Sequence, residues 1–137
     1  MRILMTVAVV AALASAPVAQ STEGAVYRSQ YVELKAKAVG LFERTANSRQ
    51  NAPALRDERL ALLKLIHRLQ EVAMSDNATR GKSGQPSDKT LLLVSQGCSG
   101  LDFLLLALDS YLDTGDRAFL GLARESITLL NSAEKFF

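Results

Sequence analysis

The sequence lacks most of the residues from which metal centres and covalent cross-links are built. Its 137 residues contain one cysteine, one histidine and no tryptophan. A single cysteine excludes an internal disulfide and a zinc site with several thiolate ligands, and a single histidine excludes a metal centre with several imidazole ligands. Covalently attached haem is excluded because the chain has no C-x-x-C-H motif. We therefore predict no metal site and no bound cofactor.

An excess of charge of one sign is also missing. The chain has 16 Lys and Arg against 14 Asp and Glu, a formal net charge of +2. Basic side chains are densest at residues 56–68, but Asp57 and Glu58 lie among them. Nucleic acids and anionic membranes are bound by unbroken clusters of Lys and Arg. We expect neither as a partner and interpret residues 56–68 as a solvated helix face.

Residues 1–21 have the order of segments typical of a secretory signal peptide. Arg2 supplies the positive start, residues 3–14 form an uncharged apolar run, and small residues follow it. Ala14-Ser15-Ala16 has the form of a cleavage site but is followed by Pro17, which fits that place poorly, and Ala19-Gln20-Ser21, with cleavage before Thr22, also fits. An uncleaved membrane anchor is the alternative, but the run is shorter than the roughly 20 residues that span a bilayer. We predict that residues 1–21 are removed and that the rest works in the periplasm or outside the cell.

The remaining chain, residues 22–137, predicts one all-α domain. It contains 21 Leu against 7 Ile and Val, and leucine favours helices whereas β-branched residues favour strands. Apolar residues recur at intervals of three and four, the period of an amphipathic helix. Polar breaks divide this pattern into helices near residues 23–49, 53–75, 88–113 and 116–135. Short connections place successive helices antiparallel, so we predict a single up-down four-helix bundle with a mobile loop at Asp76–Ser87.

The third predicted helix is the most apolar of the four. Residues 91–112 are long enough to cross a membrane, but Asp102 and Asp109 would each cost several kcal/mol in hydrocarbon. We therefore expect no stable membrane insertion. Since apolar residues cover more than one face, this helix is either the centre of the bundle or a surface that a partner covers. Polar residues share one strip that we interpret as its solvent side: Ser95, Ser99, Asp102, Asp109 and Asp113.

Two glycines flank the single cysteine in the sequence Gly97-Cys98-Ser99-Gly100. Each glycine inside a helix costs about 1 kcal/mol relative to alanine, so the pair needs a compensating role. One interpretation is a kink that exposes Cys98 as a reactive thiol. The other, which we favour, is close helix packing at Gly97 and Gly100, with Cys98 as a small buried hydrophobe.

No set of catalytic residues can be assembled from this sequence. His67 has no Glu three residues before it, so the Glu-x-x-His motif of di-iron bundles is missing. Met74 lies about 10 Å farther along the same helix face, so the two side chains cannot bind one haem iron from opposite sides. We interpret His67 as a residue without a partner and predict that the protein is not an enzyme.

Residues 108–116 resemble the helix-turn-helix corner of a tetratricopeptide repeat. Tyr111 and Gly115-Asp116 stand where such repeats carry them, whereas Leu120 and Arg124 depart from the family's pattern. No second copy of the motif follows. The resemblance implies a helical hairpin at this point and does not imply a repeat protein.

These features favour an exported, non-enzymatic interaction or accessory protein. The export segment, the missing catalytic residues and the apolar third helix all support this interpretation. A protein partner or a second copy of the chain would contact a hydrophobic surface made of Phe103, Leu104, Leu106, Phe136 and Phe137. The same five residues could instead complete the bundle's own core. The alternative function is a helical bundle that binds a small ligand, haem or a lipid-like molecule, between its helices.

Overall fold

A computed structural model describes residues 22–137, which form four α-helices and a short 3₁₀ turn. We number the helices along the chain: α1 is Thr22–Asn47, α2 is Ala52–Lys82, α3 is Lys89–Thr114 and α4 is Ala118–Ala133. The 3₁₀ turn, Glu134–Phe136, follows α4 directly. The predicted all-α class is confirmed, because the described residues contain no strand. The predicted signal peptide, residues 1–21, lies outside the described residues.

Helix α3 is the centre of the fold. It packs against α1, α2 and α4, whereas α4 contacts α1 only lightly. On α3 the side chains of Leu101, Leu104 and Leu105 are completely buried. On the other three helices the core residues, apart from Phe42, are apolar positions at helical spacing: Tyr31, Leu34, Ala38, Leu41, Leu55, Leu62, Ile66, Leu69, Ala73, Leu120, Ala123 and Leu130. The stripes in the sequence therefore identify the inward faces of the helices.

Helix α3 is also long and apolar enough to cross a membrane, judged by length and composition alone. Half of its most apolar segment is buried inside the fold. Its carboxylates Asp102 and Asp109 lie 3.5 and 3.2 Å from His67 and Arg59 of α2. A central helix that is covered by three neighbours is expected to be apolar around most of its circumference. Packing within the fold therefore accounts for the buried half of the segment, whereas Leu92, Phe103 and Leu106 remain exposed.

Both ends of α3 are fixed by specific contacts. The carboxylate of Asp88 accepts hydrogen bonds from two backbone N–H groups of the first turn, at 2.8 and 3.2 Å, as an N-cap residue does. At the other end Gly115 has φ +71°, a left-handed conformation that glycine adopts without strain. The guanidinium of Arg49 donates a hydrogen bond to the carbonyl of Leu112 at 3.0 Å. The connection between α1 and α2 thereby closes the C-terminal end of the central helix.

The predicted loop at Asp76–Ser87 is wrong over its first half, where α2 continues. Its polar composition suggested a loop, but hydrogen bonds from distant residues support the helix. The hydroxyl of Tyr27 on α1 donates to Asp76 at 2.6 Å, and the backbone N–H of Asp88 donates to the side-chain oxygen of Asn77 at 2.8 Å. The other helix ends lie within two residues of their predicted positions.

Candidate interaction groove

An apolar groove of about 530 Å³ lies between α3 and α4. Leu93 and Phe103 of α3 form one wall, and Leu122 and Leu129 of α4 form the other. Tyr31 of α1 also lines the groove. Leu129 is 65% exposed and Phe103 is 49% exposed, so the groove is open to solvent. Contiguous apolar surface of this kind on a soluble protein is a mark of a binding site.

The two glycines of α3 allow the neighbouring side chains to approach the helix backbone beside the groove. A Cβ atom placed on Gly97 would lie 2.5 Å from a ring atom of Tyr31, and one on Gly100 would lie 2.6 Å from Cδ2 of Leu130. Both distances are shorter than carbon atoms tolerate. Tyr31 and Leu130 therefore rest directly against α3, and burial raises the pKa of the Tyr31 phenol, which stays neutral.

Cys98 lies between these glycines but faces the core. Its side chain is completely buried. Burial raises the pKa of the Cys98 thiol to about 12, because a thiolate is poorly solvated by apolar surroundings. The group is therefore a protonated, shielded thiol at neutral pH rather than a reactive one.

We expect native protein to resist alkylation at Cys98. Iodoacetamide at neutral pH should modify the folded protein at least about a hundredfold more slowly than protein unfolded in urea, because only the thiolate reacts and the side chain is enclosed. Mass spectrometry measures the modification without background, since Cys98 is the only cysteine of the chain. Rapid stoichiometric modification of the folded protein would contradict the buried position.

Residues 134–137 pack against α1 beside the groove. Glu134 forms an ion pair with Lys35 of α1 at 2.7 Å, and the Lys35 side chain is only 9% exposed. The ring of Phe137 lies 5.4 Å from that of Tyr31, between centroids, and the guanidinium of Arg28 lies 5.5 Å from the Phe137 ring. These contacts attach the end of the chain to α1 and place Phe137 in the groove lining.

The structure separates the five residues that the sequence suggested as one partner surface. Phe103, Leu106 and Phe136 are exposed, and Phe137 is partly buried against Tyr31. Leu104 is completely buried, so its assignment to a partner surface is wrong. Its neighbour Phe103 is one residue away on a helix and therefore faces a direction about 100° from it.

Two residues of the groove, Leu122 and Leu129, were missed by the sequence reasoning. Periodicity identified only the buried stripe of α4, and these two residues lie beside that stripe rather than in it. No separate signal marks them, since two apolar residues seven positions apart on one helix fall far short of the sustained a and d repeat that indicates a seam between helices.

The interpretation of His67 needs correction, because α2 and α3 meet along a polar seam. His67 was expected to have no partner, yet its Nε2 lies 3.5 Å from Asp102. The carboxylates of the strip are open to solvent as expected, with 48, 31 and 60% of the side chains of Asp102, Asp109 and Asp113 exposed, and they also pair with α2: Asp109 lies 3.2 Å from Arg59, and Asp113 is paired with Arg56. In the same seam Gln70 donates hydrogen bonds to the backbone oxygen of Ser95 and the hydroxyl of Ser99, at 3.1 and 2.7 Å.

Within residues 22–137 the structure has no group of three His, Cys, Asp or Glu side chains that could hold a metal ion. The groove between α3 and α4 is the candidate binding site, because its lining is apolar and Phe103 and Leu129 remain exposed at its edge. The chain matches no protein-family model, no curated protein sequence and no solved structure.

Proposed function

We propose that this chain is an exported, non-enzymatic interaction protein that binds another protein through the groove between α3 and α4. The observation that carries the proposal is an apolar groove whose rim residues, Phe103 and Leu129, remain about half or more exposed. Small ligands are normally bound with 70–90% or more of their surface buried. A shallow groove with projecting apolar side chains suits the side chains of a protein partner better.

The proposal includes an up-down arrangement of the four helices and export through residues 1–21. Partners along the α2–α3 seam support the first point: Arg56 pairs with Asp113, and His67 lies near Asp102. The residue number rises on α2 while it falls on α3, which is the pattern of antiparallel neighbours. The positive, apolar and small-residue order of residues 1–21 supports export.

A lipid-like ligand is the second candidate, because the groove volume of about 530 Å³ lies within the range of small-molecule sites. Haem is less well supported. His67 belongs to the α2–α3 seam and is not among the residues that line the groove. A haem in the groove would therefore lack the one histidine of the chain as an axial ligand.

The test is affinity capture from the cells that make the protein, with a matched pair of variants. Leu129→Ser places a hydroxyl in the groove wall, whereas Met74→Ser changes a 58% exposed apolar side chain on α2, outside the groove. We expect a protein that is captured by the wild type and by Met74→Ser, and at least about tenfold less by Leu129→Ser. Equal capture by both variants, or a small apolar molecule that copurifies in place of a protein, would overturn the proposal.

A further inference from the structure

Glu125 is the one charged residue among the described residues that line the groove. It is exposed on α4 and forms no ion pair within residues 22–137. The residues three and four positions away along the helix are Gly121, Leu122, Thr128 and Leu129. None of them is a cation, so the usual pairing between neighbouring turns of a helix is absent here.

The dimensions of the groove suit three turns of a helix. The wall on α3 runs from Leu93 to Phe103, and the wall on α4 runs from Leu122 to Ala133. At a rise of 1.5 Å per residue each wall is about 15 Å long. The apolar anchors at i, i+3, i+4 and i+7 of an amphipathic helix span about 10.5 Å, so they fit within a wall of this length.

We propose that the partner presents an amphipathic helix with one Lys or Arg among its apolar anchors, placed opposite Glu125. This inference rests on the proposed function and adds the chemistry of the partner. Apolar anchors occupy the space between Phe103 and Leu129, and the cation pairs with the Glu125 carboxylate. The ion pair with Glu125 makes binding selective. A partner with an acidic residue in place of the Lys or Arg would bring a second negative charge to Glu125 in a partly desolvated site.

The same carboxylate argues against a second copy of the chain as occupant. A two-fold symmetric interface joins the same patch of both subunits. Two grooves that faced each other would bring both Glu125 carboxylates into one apolar interface without a cation in either lining. Like charges at an interface are unfavourable. An anionic lipid-like ligand meets the same repulsion.

The test uses two synthetic helical peptides of 18 residues that differ at one position. Both carry Leu anchors on one face, and the central position of that face is Lys in one peptide and Glu in the other. Fluorescence anisotropy measures the binding of each labelled peptide to wild-type protein and to Glu125→Lys. We expect the wild type to bind the Lys peptide about fivefold to tenfold more tightly, and Glu125→Lys to prefer the Glu peptide.

The outcomes separate this inference from the proposed function. Equal binding of both peptides, lost in Leu129→Ser, would overturn the cation assignment and leave the groove as the binding site. Binding of neither peptide would overturn the inference, and the capture experiment with Leu129→Ser and Met74→Ser would still decide the proposed function. A dimer in analytical ultracentrifugation that Leu129→Ser dissociates would assign the groove to a second copy, and tighter binding of a peptide of residues 1–21 would assign it to the chain's own leader. Either result would overturn the inference.

Discussion

Leu104→Ala is expected to lower the free energy of unfolding by about 3 to 5 kcal/mol. Leu104 is completely buried on α3, the helix that packs against the other three. The substitution removes the apolar contacts of the side chain and leaves a cavity, because neighbouring side chains in a close-packed core collapse only partly around it. Urea unfolding followed by circular dichroism at 222 nm gives the free energy, and the slope of the transition shows whether unfolding stays two-state.

Leu106→Ala is the matched control, since it makes the same substitution two residues away on the same helix. Leu106 is 57% exposed, and substitutions at such positions usually change stability by less than about 0.5 kcal/mol. A loss at Leu106 as large as that at Leu104 would mean that α3 is rotated about its axis relative to the packing described above. A small loss at both positions would mean that α3 is not the central helix.

The contrast between these two leucines shows what the sequence could and could not determine. On α1, α2 and α4 one stripe of apolar residues at helical spacing identifies the buried face, although other apolar residues, such as Leu65 on α2 and Leu129 on α4, lie outside it and are exposed. On α3 apolar residues run almost continuously from Leu101 to Leu108 apart from Asp102, so periodicity gives no preferred direction. Three neighbouring helices select the buried residues there, and those neighbours are distant in sequence. Phe103, Leu104 and Leu106 could therefore be proposed together but not assigned correctly one by one.

The polar residues depend on distant contacts in the same way. Ser95, Ser99 and Asp109 share a strip of α3, as the helical period predicted. That the strip faces α2 follows only from the partners it meets, Arg59 and Gln70. The sequence predicted one part of the groove, because Phe103 of α3 was among the residues proposed for a partner surface. Its other wall could not be placed until α3 and α4 were seen side by side.

Gly97→Ala is expected to lower the free energy of unfolding by about 1 to 2 kcal/mol, although alanine is the better helix former. The new Cβ would lie 2.5 to 2.8 Å from three atoms at the hydroxyl end of Tyr31. The Tyr31 ring is rigid and almost completely buried, and Phe137 packs against it. Because all three distances fall below 3.0 Å, we expect a cost in the upper part of the usual range for overpacking, roughly 2 to 3 kcal/mol, against a gain of about 1 kcal/mol in helix propensity. Urea unfolding measures the difference.

Gly121→Ala is the matched control, because it makes the same substitution in α4 where no atom lies within 4 Å of the added Cβ. That variant should gain about 0.5 to 1 kcal/mol, since the change in helix propensity meets no opposing contact. The same substitution should thus lower the free energy of unfolding at Gly97 and raise it at Gly121. If Gly97→Ala were also stabilising, the Tyr31 ring could not rest against α3 as described.

The contact between Gly97 and Tyr31 can be isolated by adding Tyr31→Leu. A leucine side chain is shorter and can rotate away, so Gly97→Ala should cost less in the presence of Tyr31→Leu than in the wild type. The difference between the two costs is the coupling energy of the pair. It should approach the overpacking penalty if steric conflict with the ring is the cause. A coupling near zero would show that the loss arises from a different neighbour of Gly97, and would remove the reason for a glycine beside Tyr31.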